Sequence, residues 1–180
     1  MAVEVEIRGP LTQTKYKSLF KFLSSKGKLI KEADQLAIFF DVKKDQFSLK
    51  KDHEQEKLVL KLGDWKKGSR EEIEVLLQKG HFDNALKLLK GLGFTRGHRV
   101  PAYRQDFLYK GVQISLKTKA IIGTHFEMET SIENPGDELA TKKKLIRIAE
   151  ELKMRVWTDK EYGTHTHKMW QKHHPGPEDL

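Results

Sequence analysis

One local pattern constrains this chain more than any other: short segments in which apolar residues alternate with charged residues of both signs. The first ten residues set it out. Val3, Val5 and Ile7 alternate with Glu4, Glu6 and Arg8, the twofold period of a β-strand with two unlike faces. Two carboxylates and a guanidinium then share one face within about 14 Å, at about 3.4 Å per residue. Two acids two positions apart on a strand point the same way and can share one divalent cation. A single strand of this kind is ordinarily the wet side of a sheet, but here the design returns along the chain.

In Lys57–Leu62, Leu58, Leu60 and Leu62 oppose Lys57, Val59 and Lys61. In 69–77, Arg70, Glu72 and Glu74 oppose Ile73 and Val75, although a helix competes for that segment. Over 111–119, Val112, Ile114 and Leu116 oppose Gln113, Ser115, Lys117 and Lys119. Over 125–133, Phe126, Met128 and Ile132 oppose His125, Glu127 and Glu129, and the turn at Gly123 makes these two segments a hairpin. Residues 28–42 offer two short strands around a polar turn at 32–35, and 47–51 offers another. A further strand over 95–107 contains Pro101, which argues for an edge or a bend. Helical spacing marks 12–27, capped by Thr12 or Thr14, then 83–92 and 137–152. The remainder, 154–180, reads as one strand and a last turn, loose at 173–177.

The chain has 180 residues, enough for one domain with a real core and short for two. Its net charge of +8 points to an anionic partner: nucleic acid, a phosphate compound or a membrane surface. It contains no cysteine, which removes disulfides, thiolate metal sites and a cysteine nucleophile. No apolar run approaches the roughly 20 residues that span a bilayer, and no signal peptide opens the chain, so a cytoplasmic protein is expected.

About eight mostly antiparallel strands emerge. Together they put Glu4, Glu6, Arg8, Lys50, Lys61, Arg70, Glu72, Glu74, Arg104, Lys117, Glu127 and Glu129 on one surface. Curling the sheet into a barrel turns that surface inward, with helices covering the apolar outside. The expected class is α+β: an antiparallel eight-stranded β-barrel over residues 1–160, with 161–180 as a C-terminal tail. Mixed charges inside such a cavity cost desolvation unless a cation and a polyanion complete them. Glutamates with Mg²⁺, and Lys and Arg with a phosphate chain, do so together.

At this point the chain resembles the CYTH, or triphosphate tunnel metalloenzyme, superfamily, which includes thiamine triphosphatases, inorganic tripolyphosphatases and class IV adenylyl cyclases. The opening Glu-x-Glu-x-Lys strand is matched by Glu4-Val-Glu-Ile-Arg8, with Arg keeping the charge but changing the donor geometry. Phe40-Asp41, Leu58-Val-Leu-Lys61, Arg70-Glu-Glu-Ile-Glu74, Leu92-Gly-Phe94 and the Glu127/Glu129 strand after Gly123 follow in the family's order. Three positions depart. An Arg-x-Arg strand appears as Ser48-Leu-Lys50, a Lys-x-Arg pair as Ala102-Tyr-Arg104, and a Leu-Asp as Leu116-Lys117.

The resemblance implies a metal-dependent triphosphatase, or alternatively a cyclase forming cyclic AMP and pyrophosphate. It implies Mg²⁺ or Mn²⁺ held by Glu4, Glu6, Glu127 and Glu129, supplemented by Glu72 or Glu74. It implies phosphate held by Arg8, Lys50, Lys61, Arg70, Arg104 and Lys117, with Lys61, Glu72 and Glu74 as the catalytic candidates. Lys117, at a position where the family carries an acid, would take over part of a metal's charge. The partner implied is a triphosphate-containing small molecule and not a membrane.

A basic module that binds RNA or polyphosphate without turnover is the rival. Against nucleic acid stands the mixing of acid and base, where a nucleic-acid groove is mostly basic with exposed aromatics. His165, His167, His173 and His174 lack a third ligand at diagnostic spacing and read as an exposed tail. Trp65, Trp157 and Trp170 read as packing or loop anchors, and Lys142–Lys144 as the wet side of a helix.

Overall fold

The computed structural model describes all residues except 1, 2, 43, 44, 65, 68, 120, 121 and 174–177, and the side chains of 119, 170 and 173. The expectations for Trp65 and His174 and for the side chains of Trp170 and His173 lie outside the described residues. Among the described residues the strands are β1 (Val3–Pro10), β2 (Lys28–Phe40), β3 (Gln46–Lys51), β4 (Glu56–Lys61), β5 (Ser69–Leu77), β6 (Arg96–Tyr109), β7 (Val112–Lys119), β8 (Gly123–Ile132) and the short β9 (Glu178–Asp179). The helices are α1 (Gln13–Lys26), α2 (Phe82–Gly91), α3 (Glu138–Glu151) and α4 (Asp159–His173).

The alternating segments determine the topology. The strands run β2-β3-β4-β5-β1-β8-β7-β6, each antiparallel to its neighbour, and β2 pairs with β6 to close an eight-stranded barrel. Closure leaves no free edge along most of the ring, the usual solution to strand-edge pairing. The long β2–β6 seam runs from Lys28 opposite Leu108 to Phe40 opposite Gly97. The β1–β5 seam is short, with Val3, Glu4 and Val5 opposite Glu71, Arg70 and Ser69.

The apolar core lies outside the barrel wall. Val5, Ile7, Phe107, Ile114, Leu116, Phe126 and Met128 turn outward, against Leu19 and Leu23 of α1 and Leu145, Ile148 and Ala149 of α3. A second cluster joins Ile38, Phe40 and Leu49 to Phe82 and Leu89 of α2. Each such side chain contributes about 1.5–3 kcal/mol by leaving water. Helix α1 starts at Thr12, whose Oγ1 accepts the Lys15 N–H at 3.2 Å; Thr14 lies inside the helix.

Two local expectations are corrected, and the strand reading of 69–77 is decided over its helical competitor. The polar stretch 32–35 is not a turn: β2 continues through it, because Glu32–Gln35 pair in register with Ala102–Gln105 of β6. Residues 69–77, open between helix and strand, are strand β5, drawn into the ladder by β4. The tail contains α4, with Tyr162 and Thr166 buried, and β9, which pairs with Arg96 and Gly97. An exposed position holds for His167 but not for His165, whose ring is half-buried, stacks on Trp157 at 4.9 Å and places Nε2 3.0 Å from the Ile122 carbonyl. Pro101 does sit locally at an edge: it faces Leu36 of β2, while β7 begins its pairing only at Ala102.

Past Val5, the flank of β1 turned toward β5 is followed by the segment from Arg155 to Thr158. The Trp157 N–H donates to the Arg8 carbonyl at 2.8 Å. The approach requires Gly9, since a Cβ there would stand 1.9 Å from the Arg155 carbonyl oxygen. Among the described residues, no helix is long and apolar enough to cross a membrane.

Candidate active site in the barrel lumen

The twofold period decides what the lumen contains. With Val5 and Ile7 outside, Glu4, Glu6 and Arg8 must point in, and the same parity holds on the other strands. All twelve charged residues that the alternation groups together line one cavity of about 220 Å³: Glu4, Glu6, Arg8, Lys50, Lys61, Arg70, Glu72, Glu74, Arg104, Lys117, Glu127 and Glu129. The twelve leave out Lys31, Lys57, Asp106 and Tyr162, which line it too. Asp106 was legible, two residues after Arg104 on the same face; Tyr162 required knowing that α4 packs against the barrel.

Most of these charges are matched inside the lumen. Lys61 Nζ lies 2.5 Å from Glu4 Oε1 and 2.6 Å from Glu72 Oε2. Arg8 makes a two-pronged contact with Glu6 at 3.1 and 3.2 Å, and its guanidinium lies 4.0 Å from the centre of the Tyr162 ring. Arg104 bonds Asp106 through Nε at 2.9 Å and Nη2 at 2.5 Å. Lys117 pairs with Glu127, Lys57 with Glu74, and the Gln113 amide donates to Glu129. His125, fully buried, sets Nε2 3.1 Å from Glu127 and Nδ1 2.9 Å from the Gly123 carbonyl. Both partners are acceptors, so the ring can donate to both only as imidazolium.

The electrostatics separate these groups. Burial acts to lower the pKa of Lys61, but Glu6, Glu4 and Glu72 outweigh it and raise the pKa above the ordinary lysine range. Arg8 is likewise raised, with Glu6, Tyr162 and Glu127 overcoming burial. Lys50 goes the other way, down to about 7, through burial and then the charges of Lys61, Lys57 and Lys117, opposed by Glu72. It keeps some accessible surface in the lumen. Arg70 is lowered by burial and by Arg8, and its Nη1 is buried without a hydrogen-bond acceptor while Nη2 reaches Gln46 at 3.0 Å. Lys50 and Arg70 thus describe a region short of negative charge.

The carboxylates describe the complement. Glu129 rises to about 7, first through burial and then through Glu4, Glu6 and Glu127, against Lys117. Among the described residues no three carboxylate or imidazole side chains converge at metal-binding distance, because each acid leans on a base or an amide. The donor chemistry nevertheless fits a hard divalent cation: Glu4, Glu6, Glu127 and Glu129 are among seven carboxylates that face one lumen, and their crowding, recorded in Glu129, is relieved by positive charge.

Solved structures share this architecture. The PH1012 protein of Pyrococcus horikoshii OT3 superposes with a TM-score of 0.73 at 20% identity, covering 86% of this chain and 94% of its own. A Vibrio parahaemolyticus protein provisionally assigned as an adenylate cyclase gives 0.69 at 14% identity, covering 89% and 97%. HpAC1 of Hippeastrum, described by a dominant triphosphatase activity, gives 0.60 at 18% identity, covering 87% and 90%. At these identities the likeness is one of fold. No curated protein sequence matches the chain. The CYTH domain family model matches residues 2–159, nearly the whole barrel and its covering helices, and the chain belongs to the CYTH family.

Proposed function

We propose that the lumen is the active site of a divalent-metal-dependent triphosphatase, acting on tripolyphosphate or an organic triphosphate. One observation carries this reading: acids and bases from all eight strands of the barrel face a single hollow, and two of the bases, Lys50 and Arg70, lack an adequate counter-anion there. A triphosphate supplies it. HpAC1, which shares the fold, is described by a triphosphatase activity of its own, and that supports the choice of chemistry.

Arg8, Lys50, Lys61, Arg70, Arg104 and Lys117 would hold the phosphate oxygens, and the charge of Lys50 returns once an anion lies beside it. Glu4, Glu6, Glu127 and Glu129 would hold Mg²⁺ or Mn²⁺, supplemented by Glu72 or Glu74. When bound, such an ion neutralises phosphate charge and acidifies a water nucleophile. Lys61, locked between Glu4 and Glu72, stays protonated, which disqualifies it as a base and makes it a fixed positive charge for the departing phosphate. Glu72 and Glu74, the β5 acids that face the same hollow, are the remaining candidates to take the proton from water.

A binding-only reading has one observation in its favour: each acid already rests on an internal partner. Phosphate release from tripolyphosphate, ATP and thiamine triphosphate, with Mg²⁺, Mn²⁺ or EDTA, tests the choice, with cyclic AMP measured alongside. Turnover abolished by EDTA and lowered at least about 100-fold in Glu4→Gln and Glu127→Gln is expected. Tight binding of tripolyphosphate without turnover favours the binding-only reading, and full activity in both variants overturns the site assignment.

A further inference from the structure

Glu4, Glu6 and Glu129 lean on Lys61, Arg8 and Gln113, which line the hollow with them. Glu127 has a partner of another kind. Its Oε2 takes the ammonium of Lys117, a lining residue, but its Oε1 lies 3.1 Å from Nε2 of His125, which has no accessible surface. His125 and Glu127 share a parity on β8, so the imidazole sits beside the carboxylate on the side away from Glu129. Across the ladder its neighbours are Lys117 of β7 and Pro10 of β1.

The ring is fixed at both ends. Its Nδ1 lies 2.9 Å from the carbonyl of Gly123, the first residue of β8, whose φ of +78° belongs to the tight turn after β7. Rotating the imidazole would give up both hydrogen bonds in a space closed to water, which is costly. The turn therefore anchors the ring, and the ring anchors the carboxylate. We infer that His125 is a positioning residue of the metal site: it reserves Oε1 of Glu127 for the barrel wall and leaves Oε2 as the oxygen offered to a divalent cation. Lys117 holds that oxygen here, and it is the group that yields the oxygen and turns to phosphate. This rests on the reading of the lumen as a metal and triphosphate site, and adds the residue that sets the aim of one ligand. Partners that orient a ligand from behind are ordinarily worth nearly as much as the ligand's own placement.

Mn²⁺ binding without phosphate, followed by electron paramagnetic resonance of the free ion, tests this in wild type, His125→Leu and His125→Gln. Leucine removes both donors, whereas the glutamine amide still carries an N–H for Glu127. Tripolyphosphate affinity in EDTA serves as the control for an intact lumen. His125→Leu should bind Mn²⁺ about 10- to 100-fold more weakly than wild type, the usual cost of losing such a partner. His125→Gln should recover most of that loss, and metal-free tripolyphosphate affinity should stay unchanged in both. In the wild type, saturating Mg²⁺ should shift the NMR signals of the His125 ring, a measurement that decides the matter even if neither variant folds. If His125→Leu matches wild type, if glutamine does no better than leucine, or if Mg²⁺ leaves the ring signals in place, the positioning role is overturned alone. A parallel loss of metal-free tripolyphosphate binding in His125→Leu makes the residue structural and overturns it too. If the wild type binds no Mn²⁺, the metal reading of the lumen falls and this inference with it.

Discussion

Replacing Lys50 with methionine should make the protein more stable and less able to bind a triphosphate. The ammonium sits inside the barrel among Lys61, Lys57 and Lys117, with Glu72 as the opposing charge, and its pKa drops from 10.5 to about 7. That drop corresponds to a ceiling of about 5 kcal/mol of charge destabilisation. The lumen admits solvent to part of the side chain, and ionised groups in proteins behave as if in a dielectric near 20, so about 1–3 kcal/mol is the expected gain. The sign follows from proton counting. Below pH 7, Lys50 is charged in both the folded and the unfolded chain and the full cost is present. Between pH 7 and 10.5 the unfolded chain holds a proton that the folded one lacks, so wild-type stability recovers as pH rises. The advantage of Lys50→Met should therefore be largest at pH 6.5 and shrink by pH 10. Urea unfolding at pH 6.5, 8 and 10, in buffers free of phosphate and sulfate, measures it. A variant less stable than wild type at pH 6.5, or an advantage independent of pH, refutes the reasoning.

The same titration predicts proton uptake on ligand binding. At pH 8, tripolyphosphate should restore the Lys50 ammonium, so calorimetric heats in buffers of different ionisation enthalpy should report uptake, and its absence in wild type would remove Lys50 from the phosphate site. Tyr162→Ala should weaken tripolyphosphate binding about 3- to 30-fold, the range of a desolvated cation–π contact, while Tyr162→Phe retains most of it; equal losses in the two variants would assign the effect to the hydroxyl. Gly9→Ala forces the Arg155 carbonyl away from β1, and a loss of about 2–4 kcal/mol is expected in thermal unfolding, with faster proteolysis near residue 155.

The parity of alternation was enough to place twelve charged residues in the lumen, because a strand permits only two faces and Val5, Ile7, Ile114 and Met128 had to reach a core. Where the pattern was interrupted, tertiary pairing decided. Glu32-Ala-Asp-Gln35 looks like a turn because its polarity is local, but β6 supplies partners on one side, and the Lys31 ammonium lies 2.8 Å from Asp52 of the β3–β4 connection. Helix α4 announced itself in a form that polar composition masked. Thr158-Asp-Lys-Glu161 is a capping box: the Thr158 N–H donates to Glu161 Oε2 at 2.8 Å, and the Glu161 N–H to Thr158 Oγ1 at 3.2 Å. His165 and His167 stand two positions apart on that helix, whereas its contact with the lumen is Tyr162 on Arg8.

The joints of the ring are unequal, and that has a mechanical consequence. On one side β1, β8, β7 and β6 are clamped by two helices and a continuous greasy layer, and β6 is zipped to β2 along nearly its whole length. Opposite, β5 clips onto β1 through three residues, one of which is Glu4. The joint of the ring with the fewest pairings thus lies beside Glu4, Glu6 and Arg8, while the clamped half is paired along nearly its whole length. One half of the ring fixes the charges in place, and the other is held by the fewest backbone pairings.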